Sequence, residues 1–596
     1  MGVETELPLF EEKLRKDIKS AVEEMLAEEM PLITEELFGL YEKNGNRILY
    51  ERVYFRRRKF LAVFGLEAVA QLESTGRAEK DILEKLVQVI DEICAEICWA
   101  LPPHVNRSEE KWWETVDLFA SETAQALAEL SERLWDILPK ETLVTIRENV
   151  ERRVFLPFFT SPVPYRRWEN SRHNWNGVCA GAIGSACLHL IKDKTRLEEY
   201  LKRICGGLQY YMEGFTEDGA CTEGLSYYNY GMTYFCNFAQ KLYDKTGGKQ
   251  DLFCGIWGKF GKSTEDKRAK IAAFPAKCFF TDGRTLSFAD GNNRGIFRMG
   301  LGCVLAMHYP CFRFPDMNRA AGLDTDGCYH FASLKMDLLM PGRLLAVGAV
   351  SGQKKEAVDI LPAAQWVVAR SVAGASMACK GGHNMEFHNH NDVGHFIYEG
   401  MGTMFFTDLG AGEYKKGYFG EGRYQVLCNR SMGHSVPLVN GKEQQSGAEY
   451  GCTDFQAVSD ADTVKVSMDI AKAYETGTIQ KLERSLKFCL KTGQLKVTDK
   501  FLLYGEPGEY VEENLITQIP PVVEKDRVLL TDGRKVCSLR VEQAAGFTVT
   551  EYEHCNHKGV QEKVYAVRWK ADLKGKTGMS TFHLTLSEVP EEEKGE

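Results

Sequence analysis

The chain is poor in several things, and each shortage excludes something. No run of about eighteen apolar residues occurs, so no membrane-spanning helix is expected. The first stretch, MGVETELPLFEEKLRKDIKSAVEEML, is charged and amphipathic and lacks the apolar segment of an export signal. Its sixth residue is Glu6 rather than Ser or Thr, so the myristoylation pattern fails. Eighteen cysteines are scattered over 596 residues without one Cys-x-x-Cys pair. Several (Cys94, Cys98, Cys179, Cys187) fall in apolar helical context, where a free thiol behaves as a small hydrophobe. Reduced thiols and a cytoplasmic location are the expectation. Positive charge is in deficit, with 74 basic against 84 acidic residues. The net charge of −10 offers no general attraction to nucleic acid or an anionic membrane, and neither partner is expected. A basic cleft for a polyanion remains compatible with it.

Histidine is also scarce, at thirteen residues, so its placement is informative. Four of the thirteen lie between His383 and His395, together with Glu386 and Asp392. Read as an extended strand, this stretch puts Glu386, His388, His390 and Asp392 on one face. Such a row is costly to bury unless it binds a metal, pairs internally or meets a charged ligand.

Length predicts two or three domains. To about residue 330 the apolar residues recur at helical spacing, as in 81–101 and 122–138, and again in 178–191, 196–211, 227–245 and 253–273. From about 335 the texture changes to short Val-, Phe- and Thr-rich runs, beginning with GRLLAVGAV and AQWVVARSV and separated by turn signals such as NGK and KTGQ. The expected organisation is a helical domain over 1–333 and an antiparallel β-domain over 334–596, with a disordered acidic tail at 588–596. An active site is expected in the cleft between them.

Three constellations carry candidate chemistry. His390, Asp408 and His434 form a two-histidine, one-carboxylate set that suits Zn²⁺; a metal-free polar cluster is the competing explanation. In SRHNWNGVCAGAIG (171–184), His173, Asn174, Trp175 and Asn176 precede an apolar helix. Capping explains one such residue, and a tryptophan flanked by amides also suits a sugar ring. In EDGACTEGLSYYNYG (217–231), Glu223 leads into Tyr227, Tyr228 and Tyr230, more phenols than a core helix needs. Arg294 and Arg423 are candidates for a bidentate clamp on a substrate carboxylate.

Taken in order, NWNGVCAGAIG, EDGACTEGLSYYNYG, GGHN-x-x-x-HNHND with HFIYEG, FFTDLGAGEY and GHSVPLVNG resemble the heparinase II/III-like polysaccharide lyases over about residues 165–500. The resemblance implies an incomplete (α/α) toroid followed by an antiparallel β-sandwich, and β-elimination at a uronic acid of an anionic oligo- or polysaccharide. It further implies Tyr228 as Brønsted acid, with Tyr227 and Tyr230 as register alternatives. His388 is the implied partner base or carboxylate neutraliser, Asn174 with Asn176 or His173 binds the carboxylate, and His390, Asp408 and His434 hold a structural zinc. Trp175, Glu223, Arg294 and Arg423 are the expected substrate contacts, and a homodimer is the expected assembly. Two rivals remain: a glycoside hydrolase using acids such as Asp218, Glu223 or Asp290, and a non-catalytic glycan-binding relative.

Overall fold

The structure is a computed structural model that describes residues 2–162, 164–254, 265–349, 357–543 and 546–589. The chain divides into two compact units that are not its contiguous halves. The first comprises 1–215, 227–273 and 296–353; the second comprises 216–226, 274–295 and 354–596.

The first unit is helical. Its helices include Val3–Met25, Ile48–Thr75, Leu118–Arg133, Asn174–Leu190, Lys194–Glu213, Met299–His308 and Phe331–Val347. Helix 118–133 packs on 174–190, which packs on 194–213, and the first helix packs against 331–347, so the series returns to its start. That is the layout of an (α/α) toroid. Helix Asn174–Leu190 is predominantly apolar and buried along nearly its whole length, with Trp175 and Leu190 half-buried, as such a composition requires. Its Gly181 lies where a Cβ would press on the Tyr234 carbonyl, so the glycines of NWNGVCAGAIG serve close helix packing. A charged network lies inside this unit: buried Glu129 takes Lys241 at 2.8 Å and Lys335 at 3.1 Å. Such a network stays buried only because each charge has a partner.

Two sequence expectations need correction here, and a third falls outside the described residues. GRLLAV continues helix Phe331–Val347 rather than starting the β-region, and Gly348 closes the helix in the left-handed conformation (φ 65°). A short apolar run does not distinguish strand from buried helix. The helix expected over 253–273 is found at Glu265–Lys277, with 255–264 outside the described residues. The tail beyond Val589 also lies outside them.

The second unit is antiparallel β. One sheet runs 358–361, 366–370, 375–380, 396–400, 403–406; a second, of nine strands, includes 463–469, 481–489, 495–502 and 577–588. Strands such as Leu495–Leu502 alternate buried and half-buried residues with period two, as a sheet with one face on the core requires. Trp366, Trp569, Phe396 and Phe582 fill the interior. Buried Arg484 binds Asp499 at 2.6 Å and donates to the carbonyls of Gly394 (2.9 Å) and Ser435 (2.8 Å), tying two histidine-bearing loops to the sheet.

Glu399, on strand 396–400, accepts the Gly402 amide at 2.6 Å and is fully buried; burial lifts its pKa from 4.5 to about 7. A carboxyl with a raised folded pKa stabilises fully below its unfolded value, and that contribution is lost as pH rises through 7. The window is worth about 3 kcal/mol. Glu399→Gln is therefore expected to flatten the dependence of Tm on pH between about 4.5 and 8, and to raise Tm at the upper end. Parallel melting curves with the same slope as wild type would refute it.

Candidate active site and metal centre

The histidine-rich stretch is not a strand. Only His383–Asn384 pairs, with Gly447–Gly451, and residues 385–395 form a loop whose His388 has φ 56°. Period two therefore does not set its side-chain directions, and the shared face expected from alternation is absent. Two separate groupings replace it.

The first grouping gathers His390, Asp392, Asp408 and His434, whose ligand atoms lie within 4.8 Å of one another, all buried. Asp408 follows strand Thr403–Phe406, and Gly410 turns the chain there (φ 63°) where a side chain would overlap the Gly291 carbonyl. The His434 Nε2–H donates to the Cys428 carbonyl at 2.7 Å and the His390 Nε2–H to Asp290 at 3.2 Å. Both rings therefore aim an Nδ1 lone pair at the two carboxylates. Asp392 Oδ1 binds Lys380 at 2.7 Å and Asp408 Oδ1 accepts the Gly410 amide at 2.9 Å. The opposite atoms, His390 Nδ1, His434 Nδ1, Asp392 Oδ2 and Asp408 Oδ2, have no hydrogen-bond partner. The His395 Nε2–H stands 3.5 Å from Asp408 Oδ2, too long for a good hydrogen bond. Four buried acceptors with so little donation are unfavourable unless a cation joins them. Outer hydrogen bonds that fix each ligand's tautomer are what a metal centre needs. The donor set fits zinc. Asp392, which sequence reading had not assigned as a ligand, completes it.

Electrostatics around these atoms agrees with that reading. Burial and then the neighbouring Asp392 carboxylate push Asp408 well above the ordinary aspartate range, whereas Lys380 offsets burial and holds Asp392 below it. Burial lowers His434 to about 3, which leaves its ring neutral and able to coordinate.

The second grouping surrounds His388. Its Nδ1 donates to Asp290 Oδ2 at 2.6 Å, and its Nε2 stands 3.7 Å from Glu223 Oε2. Asp290 is wholly buried and also accepts the Tyr414 hydroxyl (2.8 Å) and the Tyr418 hydroxyl (3.0 Å). Burial opposes its ionisation, but the His388 and His390 hydrogen bonds win and keep it well below the usual range. Exposed Phe419 lies 5.5 Å from the His388 ring, and exposed Phe387 precedes it in the chain. Arg423 is no clamp: it is buried, and its Nε and Nη2 donate to the Asn389 carbonyl. Arg294 is exposed on the turn that follows Asp290. Asp218 is spent on the Ala363 and Ala364 amides. Among the described residues of this unit, the acids suggested for a hydrolase are thus committed to other bonds or face His388.

In the helical unit the outcome is mixed. Tyr228, the first choice as acid, is fully buried and its hydroxyl donates to the Ile271 carbonyl at 2.9 Å. Tyr230 donates to Glu122, which also takes Tyr234 (2.7 Å) and His330 (2.5 Å); burial raises the Tyr230 phenol well above its usual range. Tyr227 is half-buried. Asn176 is structural, its amide donating to the carbonyls of Glu169, Ser171 and Gly207. His173 caps helix 174–190, and Asn174 is its buried first residue. Trp175 meets the His104 ring edge-on at 4.7 Å, and His104 Nδ1 donates to buried Asp117 at 2.6 Å. Sequence reading missed that imidazole because it lies about 70 residues upstream of the motif. A cluster of Asp326, Cys328 and His330 is no cation site, since Arg298 already neutralises Asp326 at 2.6 Å.

No protein-family model matches the chain, and no curated protein matches it by sequence. Solved structures do. A heparan sulfate lyase HepC mutant from Pedobacter heparinus aligns with TM-score 0.61 at 14% identity, over 99% of this chain and 90% of that one. Heparinase III aligns with TM-score 0.63 at 14% identity, over 91% and 78%. A chondroitin AC lyase from Streptomyces coelicolor A3 aligns with TM-score 0.52 at 10% identity, over 98% and 80%. The fold is that of the heparinase-like polysaccharide lyases, an (α/α) toroid with antiparallel β-sheets.

Proposed function

We infer that the chain is a polysaccharide lyase that cleaves a uronic-acid-containing anionic glycan by β-elimination, with His388 as the base. The observation that carries this reading is the His388–Asp290 pair: a buried carboxylate accepts the Nδ1 proton and so sets the tautomer in which Nε2 is the basic nitrogen. Nε2 takes the proton at C5 of the uronate, the electron pair forms the C4–C5 double bond, and the C4–O bond breaks. The leaving oxygen takes a proton from a phenol. Glu223, 3.7 Å from Nε2, stabilises the imidazolium that results. Donors set at the developing enolate supply much of the barrier reduction; motif position assigns that task to Asn174.

For the phenol, exposure favours Tyr227 over the buried Tyr228, and Tyr227 follows Glu223 by only four residues. Zinc on His390, Asp392, Asp408 and His434 supplies a structural tie between the loops that carry them. With four protein ligands present, no position is reserved for substrate.

The decisive assay is a panel of uronate oligosaccharides read by the ultraviolet absorbance of the new C=C bond. Absorbance with no uronate substrate would refute the lyase and favour a hydrolase. Tyr227→Phe is expected to cost at least about a hundredfold in kcat. Tyr228→Phe should keep kcat within a few-fold and lose about 1 kcal/mol of stability with its buried hydrogen bond. The reverse order of effects would return the acid to Tyr228.

A further inference from the structure

One carboxylate belongs to both groupings. Asp290 Oδ2 accepts His388 Nδ1–H at 2.6 Å and Oδ1 accepts His390 Nε2–H at 3.2 Å. The two rings are thus protonated on opposite nitrogens. In these tautomers Nε2 is the basic nitrogen of His388 and Nδ1 that of His390, the second directed at the metal cluster.

The geometry points to Asp290 as the positioning residue shared by the metal centre and the base: its two oxygens assign the two histidines their opposite tautomers, and hence their separate jobs. The His388 half of this inference rests on the lyase reading; the His390 half does not.

The surroundings are built for that role. Asp290 follows Ala289 at φ 57°, a left-handed conformation uncommon for a residue with a side chain. Its partner His388 is left-handed too, at φ 56°. Conformations of this kind cost energy and persist only where neighbours enforce them. Ser287, three residues before Asp290, donates its hydroxyl to the Asp408 carbonyl at 3.0 Å, so the turn is anchored to a metal-ligand strand end. Each oxygen of Asp290 carries one imidazole and one phenol: His388 and Tyr414 on Oδ2, His390 and Tyr418 on Oδ1.

Only a carboxylate satisfies this arrangement. An amide in its place has one acceptor oxygen and one donor NH₂. A phenol facing the NH₂ turns its hydroxyl and accepts; Tyr418 already has a second acceptor in Asn429 at 2.9 Å. An imidazole facing the NH₂ must move its proton to the far nitrogen. If that ring is His388, Nε2 becomes N–H and no longer takes a proton from substrate. If it is His390, Nδ1 becomes N–H and leaves the metal. Sequence gave no sign of this link, because 98 residues separate Asp290 from His388.

The test compares Asp290→Asn with wild type and His388→Asn, all zinc-loaded. Zinc affinity is read by chelator competition, kcat and KM on the best uronate substrate, and tautomers by imidazole nitrogen chemical shifts in histidine-labelled protein. Asp290→Asn should switch the tautomer of one of the two rings. With it comes zinc binding weakened by at least about tenfold, or kcat lowered by at least about a hundredfold with KM within a few-fold. His388→Asn should retain zinc as wild type does. Asp290→Asn with a lower Tm but unchanged tautomers, zinc affinity and kcat would show a merely structural carboxylate and overturn the proposal. If the wild type cleaves no uronate, the lyase reading fails by itself, and tautomer and zinc affinity still decide the role of Asp290.

Discussion

Replacing His388 with alanine is expected to lower kcat by two to four orders of magnitude, the range for removing a general base. The effect should fall on kcat, because the lost interaction is proton transfer at C5 rather than ground-state contact. His388 is 16% exposed at its side chain and bonds to Asp290 through Nδ1, so its removal leaves a buried carboxylate with three remaining donors: His390, Tyr414 and Tyr418. The fold should tolerate this. A second variant guards against strain: asparagine adopts the left-handed conformation of position 388 more readily than alanine, and its amide can still donate to Asp290. His388→Asn should therefore match wild type in melting temperature and zinc content while remaining inactive. Turnover within about tenfold of wild type in either variant would remove His388 from the mechanism.

The order of textures was legible: helical spacing before about residue 330, and short β-branched runs from about 335, although the first of those runs is helical. The convergence of His390, Asp408 and His434 was legible too, through the family resemblance of the motifs that carry them. Directions of side chains were not. In the loop 385–395 two positive-φ or turn residues defeat any periodic reading, so the alternation that grouped Glu386 with His388 was the wrong geometry for the right residues. The burial of Tyr228 was not legible for a related reason. On a helix, residues 227 and 228 point about 100° apart, and the sequence does not say which one meets the core; Tyr228 does. Long-range pairings were invisible. His104 with Asp117 beside Trp175, and Asp290 between His388 and His390, join segments far apart in the chain. Asp290 was considered only as a hydrolase acid, and the four donors around it are what reassign it.

Stripping the metal is expected to lower the melting temperature of the β-unit by about 10 °C. A ligand present at a thousand times its dissociation constant stabilises by about 4 kcal/mol, and a unit of this size shifts by about 2–4 °C per kcal/mol. Physical grounds for a loss of this size lie in the four orphaned acceptors. Without a cation, Asp392 Oδ2 and Asp408 Oδ2 share buried surroundings with two imidazole lone pairs, and the nearby His395 Nε2–H is 3.5 Å from Asp408 Oδ2. Protonation of Asp408 relieves part of this, since burial and Asp392 already raise its pKa, but one proton does not satisfy four acceptors. The chelated protein should therefore melt earlier and recover with added Zn²⁺. Asp408→Asn should melt early with or without metal, because the amide replaces a ligand charge with a donor. His388→Asn should follow wild type in both states, which separates the metal's structural role from the base's chemistry. Protein purified without chelators that contains no metal, and whose melting temperature ignores both chelator and zinc, would refute the metal centre.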